Sequence, residues 1–166
     1  MCAHVDVVSD LNNTHSLQAL INDLTLRTEK KTYRPKDFSL DLSTSPDTTW
    51  AKAASGNLQL DFRGKGGYEH LLGQLDKLMA KVDEQRRDKV IDEEELRALL
   101  PTIRLNIQSG NDNPVANILR YNGFDFQDMS VTFRSSPQKG MGGRGHIYKM
   151  NVDSIPIDTM RFFIRQ

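Results

Sequence analysis

The sequence predicts an α+β, β-rich domain, in which a curved antiparallel sheet of about seven to nine strands carries a helical excursion at 67–100 and a short helix at 113–122. Three observations predict it. Apolar and polar residues alternate with period two through 38–43, 57–63, 103–107 and much of 124–164, as in strands with one buried face. Between the second and third of these runs the apolar spacing changes to three and four, the period of a helix. Elsewhere turn residues separate the strands, so neighbours in sequence pair antiparallel rather than forming βαβ units.

The 166 residues suit one domain with a core large enough to stand alone. The 22 basic and 22 acidic side chains cancel, so no overall field recruits nucleic acid or an anionic surface. A partner would be recognised through shape and apolar surface. Cys2 is the single cysteine and has no internal disulfide partner. No leader of basic, apolar and small residues precedes His4, and no run of ~18 apolar residues occurs, so the chain is expected neither to export nor to anchor itself. Its abrupt start and its end in mid-alternation, at Phe163-Ile164-Arg165-Gln166, read as a single domain, 1–166, cut from a longer repeat-containing protein.

In chain order, Val5 and Val7 with Ala3 begin a short strand that residues 9–14 close. Asn12-Asn13-Thr14 matches a glycosylation sequon, but so short a pattern arises by chance and a turn is the simpler reading. Leu17, Leu20, Ile21 and Leu24 have helical spacing while Leu24 and Leu26 alternate, so a turn of helix or irregular chain should pass into a strand at about Asn22. Residues 29–36 form a charged break, read as a solvated loop. Phe38, Leu40 and Leu42 then alternate with Ser39, Asp41 and Ser43 in a half-buried strand, and Ser43 to Asp47 turns the chain. After Trp50 comes a second clean strand, with Leu58, Leu60 and Phe62 on one face and Asn57, Gln59, Asp61 and Arg63 on the other.

From Gly67 the period is helical: Tyr68, Leu71, Leu72, Leu75, Leu78, Met79 and Val82 make an amphipathic helix over about 67–86, whose stripe reads as core. His70 beside it has no second ligand at helical spacing and reads as a surface or capping residue. Asp92 followed by Glu95 is an N-cap arrangement, and Glu93 and Glu94 suit the helix dipole, so this acidic cluster has a helix-start explanation. Leu96, Leu99 and Leu100 lead to the stop at Pro101. Ile103, Leu105 and Ile107 resume strand alternation, and Asn113-Pro114 opens the short helix as N-cap and N1, with Gly123 closing it.

Phe126, Met129, Val131 and Phe133 lead into a Gly/Pro/Ser cluster over 134–145, read as the turn of a hairpin. Tyr148, Met150 and Val152 follow in alternation before Met160, Phe162 and Ile164 resume it. Gly140, Gly142 and Gly145 fit G-x-G-x-x-G, but a dinucleotide site needs a helix next, and His146-Ile147-Tyr148-Lys149-Met150-Asn151-Val152 is a strand. Neither the four histidines nor Cys2 falls in a hydrolase or metal motif, so the chain is expected not to be an enzyme and to carry no cofactor or metal.

Four segments carry a resemblance. They are Leu58-Gln59-Leu60-Asp61-Phe62-Arg63-Gly64-Lys65-Gly66-Gly67, then Phe124 through Phe133, Gly145 through Val152, and Ile155-Pro156-Ile157-Asp158. Their cadence of strand, small Gly turn, strand and polar link ending in Ile/Leu-Asp resembles the AsmA-like proteins of Gram-negative envelopes, a family that includes the inner-membrane subunit of the translocation and assembly module. The resemblance covers 36–66 and 101–164; the excursion at 67–100 departs from it as an insertion that caps or plugs the sheet.

The resemblance implies a periplasmic location, as part of a protein anchored in the inner membrane through a segment absent from this chain. It implies a non-catalytic role in outer-membrane biogenesis, carrying lipid between membranes or assisting assembly of outer-membrane proteins. Phospholipid or an assembly partner protein would be the partner, with no nucleic acid. The apolar groove would be lined by Leu58, Leu60, Phe62, Val131, Phe133, Tyr148 and Met150, together with Phe38, Leu40, Leu42, Ile103, Leu105, Ile107, Met129 and Val152. On the bottom-up reading two alternatives stand beside it: these side chains form an ordinary core covered by the helices of 67–100, or the chain is a soluble protein-interaction domain, such as a secreted effector or phage-borne binding protein, acting through a sheet edge or the charged loop.

Overall fold

The computed structural model describes residues 2–10, 13–22, 26–27, 32–33 and 37–165. Strands β1 (Cys2–Ser9) and β2 (His15–Asn22) are followed by a separate two-residue pair, β3 (Leu26–Arg27) with β4 (Thr32–Tyr33). Then come β5 (Phe38–Thr44), β6 (Thr48–Ser55), β7 (Leu58–Lys65), helices α1 (Tyr68–Asp88) and α2 (Glu93–Ala98), and β8 (Ile103–Gly110). Helix α3 (Pro114–Tyr121), the short β9 (Phe124–Asp125), β10 (Asp128–Ser136), β11 (Gly140–Val152) and β12 (Ile155–Arg165) complete the chain. Apart from Thr32 and Tyr33, the charged segment 29–36 lies outside the described residues.

Ten strands form one antiparallel sheet in the order β1-β2-β5-β6-β7-β8-β10-β11-β12, with β9 pairing β11. Its order follows the chain, and β1 and β12 do not meet, so the sheet is open and uncurled. The expected α+β, β-rich class is the class observed. One stretch differs from its expectation, and one strand carried none. The helical spacing of Leu17, Leu20 and Ile21 does not make a helix: β2 pairs β1 on one side and β5 on the other, placing Leu17, Ala19 and Ile21 on one face. Two ladders satisfy the backbone of an eight-residue segment, whereas a helix that short leaves most of its terminal groups unpaired. Strand β6 had no expectation, because alanines carry its alternation and give little hydrophobic contrast.

The glycine cluster is also corrected. The turn between β10 and β11 is residues 137–139, closed by Gly140 with φ 69°, and Gly142, Gly143 and Gly145 lie inside β11. Aromatic side chains explain this: the ring of Phe162 occupies the space a Cβ of residue 145 would need, and that of Phe133 crowds residue 143.

The two helical excursions sit at opposite ends of the strands. At one end the Tyr68 N–H donates to Thr44 Oγ1 at 2.9 Å, and the Thr49 hydroxyl donates to the Gly66 carbonyl at 2.9 Å. That leaves the Thr44 hydroxyl to donate to Thr49 Oγ1, 2.8 Å away. Helix α2 is capped as its sequence predicts, with Asp92 Oδ1 accepting the Glu95 N–H at 3.0 Å. Its reciprocal partner is different: the Asp92 N–H donates to Gln85 Oε1 on α1 at 2.9 Å. Arg97 then ties α2 to the carbonyls of Pro137 and Gln138 in the β10–β11 turn.

At the other end Asn113 caps α3, its Oδ1 accepting the Ala116 N–H at 2.9 Å. Ala116 packs with Phe126, Ile147 and Met150 into the buried cluster, joined by Leu119, Phe124, Met129 and Val152. Alternation alone would set Ile147 and Met150 on opposite faces. Lys149, at φ 48°, breaks it and lets both side chains reach the same core.

Candidate functional site

Residues that pair across a ladder share a face, so the register sorts the sheet into two surfaces. One row runs Val5, Ala19, Leu40, Ala53, Leu60, Ile107, Val131, Gly145, Phe162. Two residues along each strand, a second runs Val7, Leu17, Leu42, Ala51, Phe62, Leu105, Phe133, Gly143, Ile164. Neither row contains a polar side chain. The opposite surface is polar, with Asp41, Lys52, Asp61, Asn106, Thr132 and Arg144 in one cross-strand row.

The rows are not a closed core. From β2 to β11 their side chains are half-buried, and at the β1 edge Val5 and Val7 are 56% and 68% exposed. The helices do not cover them: α1 and α2 pack chiefly against each other at one end of the strands and α3 at the other. The α1 stripe expected as core is open to solvent as well, since Leu72, Leu75, Met79 and Val82 are all exposed.

Of the groove residues inferred from the sequence, Leu58, Leu60, Phe62, Val131 and Phe133 share the apolar face. Leu58 is buried at its α3 end, and the other four lie in the two open rows. Tyr148 does not belong with them, and Met150, which shares the core of Ile147, lies outside the open rows. Tyr148 pairs Asp128 and Thr159 on the polar surface, where Lys149 Nζ stands 5.4 Å from its ring centroid. Met150 is buried in the α3 cluster. The alternation of Tyr148, Met150 and Val152 hid the neighbouring Ile147, which is the residue that faces Met129 on the apolar side. Phe162 and Ile164 were legible as a strand, and Ala19, Ala51 and Ala53 gave no signal.

No family model, curated protein or solved structure matches this chain. Its chemistry is therefore read from the surfaces themselves. Among the described residues no group of three or more His, Cys, Asp or Glu side chains is placed to hold a metal ion. A shallow depression of about 430 Å³ on the polar surface is lined by Asp41, Lys52, Asp61 and Asn106, with the single lysine between two carboxylates. His146 Nε2 lies 3.0 Å from Asp128 Oδ1 on the same surface, an exposed pair with no nucleophile in hydrogen-bond contact with it among the described residues. What the arrangement offers is an apolar strip about nine strands long with a charged back. Among the described residues no helix is long and apolar enough to cross a membrane.

Proposed function

We propose that this chain is a non-catalytic module of the Gram-negative periplasm that takes part in outer-membrane biogenesis by holding phospholipid acyl chains against the open apolar face of its sheet. The observation that carries the reading is the unbroken pair of apolar rows reaching from Val5 and Val7 on one edge to Phe162 and Ile164 on the other. At about 4.8 Å between strands, nine strands make a strip roughly 38 Å long. One leaflet's acyl chains fill about half of a ~30 Å hydrocarbon core, so a lipid tail fits along it with room to move.

Each Å² of apolar surface taken from water contributes about 25 cal/mol, and a bound tail removes water from protein and lipid together. The charged back keeps the opposite surface wet, which fits a strip loaded from one side. The resemblance to AsmA-like proteins supports the same reading, with anchorage in the inner membrane supplied by sequence outside this chain. A second reading, protein interaction by strand addition, is favoured by one observation: among the described residues β1 and β12 are the two edge strands of the sheet, each paired on one side.

The test is direct. The chain is purified from a Gram-negative host, extracted with organic solvent and examined by mass spectrometry for phospholipid. Leu60→Asp and Val131→Asp should abolish lipid loading, while Lys52→Glu on the polar surface should leave it unchanged. Circular dichroism accompanies each variant. A lipid-free wild type, or equal loss in all three variants, would sink the reading.

A further inference from the structure

Helix α1 carries a second apolar surface that the lipid reading does not use. Tyr68, Leu72, Leu75, Met79 and Val82 recur at spacings of four, three, four and three, the seam spacing of a helix that pairs with another helix. All five are exposed, Leu72 by 57% and Met79 by 53%. The adjacent stripe is already occupied: Leu71 packs on Gly64, Leu78 is half-buried, and buried Gln85 bonds Asp92 and Glu95. Along the exposed flank stand Glu69, Asp76 and Asp83, seven residues apart, so they stack in one acidic column beside the seam; within α1, Glu69 accepts the Tyr68 hydroxyl at 3.1 Å and Asp83 pairs Arg86 at 3.4 Å.

We propose that this seam docks an amphipathic helix of a partner protein that presents a column of Lys or Arg beside its own apolar stripe. Charge decides among the possible occupants. A second copy of α1 packed antiparallel would set the acidic column against itself; packed parallel, it would direct the column at the flank that α2 fills. An anionic membrane surface repels the column. A basic helix gains cross-helix ion pairs with Glu69 and Asp76, and a third by sharing or replacing the exposed Arg86 pair of Asp83, along a seam of roughly 21 Å.

Two helical peptides matching the 21 residues of α1 in length test this. They share one Leu seam and differ only in carrying Lys or Glu at the flanking column, and each is titrated against the full chain by fluorescence anisotropy. The Lys peptide should bind about tenfold tighter than the Glu peptide. The triple variant Glu69→Lys, Asp76→Lys, Asp83→Lys should invert that preference, and Leu75→Asp with Met79→Asp should remove binding of both. These side chains are exposed, so the fold should survive; a variant that loses helicity by circular dichroism is replaced by Leu75→Ser with Met79→Ser. Equal affinities, no binding by either peptide, or an unchanged preference in the triple variant would overturn the proposal. So would self-association, or binding to phosphatidylglycerol vesicles, that Leu75→Asp abolishes. Failure of lipid loading on the sheet leaves this outcome untouched, because the two surfaces share no residue.

Discussion

The ring of Phe162 on β12 fills the space beside Gly145 on β11, so that a Cβ at position 145 would run into its Cζ, Cε1 and Cε2 atoms. The pair explains why a strand with neighbours on both sides tolerates glycine. The aromatic ring supplies the side-chain contact that the glycine lacks, across the ladder rather than along the strand.

Gly145→Ala should therefore destabilise the domain by about 1–2 kcal/mol, since the ring must leave its place. Urea unfolding of Gly145→Ala, Phe162→Leu and the double variant checks it. The double variant should be less destabilised than the sum of the singles; strict additivity would mean that the two residues do not compete for the same space.

Asn113 is 1% exposed and spends both ends of its amide. Its Oδ1 caps α3, and its two Nδ2 hydrogens are shared among three acceptors, Asn57 Oδ1 at 3.0 Å, Ser109 Oγ at 2.9 Å and the Gly110 carbonyl at 2.7 Å. Asn113→Ala should cost about 2–3 kcal/mol, through the lost cap and the acceptors left behind. Asn113→Asp keeps the capping oxygen but not the donor, and its thermal midpoint should also fall below that of the wild type.

The face assignment of β11 has its own test. Ile147 is buried against α3 while Tyr148 lies on the polar surface, so Ile147→Ala should lose about 2–4 kcal/mol and Tyr148→Ala only about 0.5 kcal/mol. The reverse ranking in thermal unfolding would place β11 one residue out of register.

The junction of α1 and α2 should respond to alkali. Lys81 is held above its ordinary value of 10.5, first by its bond to Glu95, 2.8 Å away, and then by Glu84 at 3.1 Å. A cationic group whose folded value is raised stabilises the fold below its unfolded value, and that contribution is lost as the pH climbs through the folded one. The advantage of wild type over Lys81→Met in thermal midpoint should thus persist through neutral pH and vanish only above the ordinary lysine value. Tyr68, at the far end of α1, also titrates in the alkaline range, raised by its bond to Glu69, so the scan belongs in a Tyr68→Phe background. A difference that disappears below pH ~9 would contradict the assignment.

Much of this architecture was legible in residue order. Alternation located β5, β7, β8 and β10, Asn113-Pro114 marked the start of α3, and Asp92 with Glu95 marked that of α2, because each signal is local: a period, a cap or a missing N–H. Leu60, Phe62, Val131 and Phe133 were legible as inward residues for the same reason. β6 and the small members of the apolar rows were not, since an alanine looks alike on either face until a neighbouring strand gives it one.

By itself, then, the sequence determined an antiparallel β-rich domain with helices at two breaks, and the residues that share a face within any one strand. Only the tertiary structure decided which strands those faces join, that the helices stand at the ends of the sheet rather than over it, and that Tyr148 turns away while Ile147 turns in. The physical reason is that period and capping are properties of neighbours in the chain, whereas the left-handed turn at Lys149, the ring beside Gly145 and the open seam of α1 depend on what distant segments leave free.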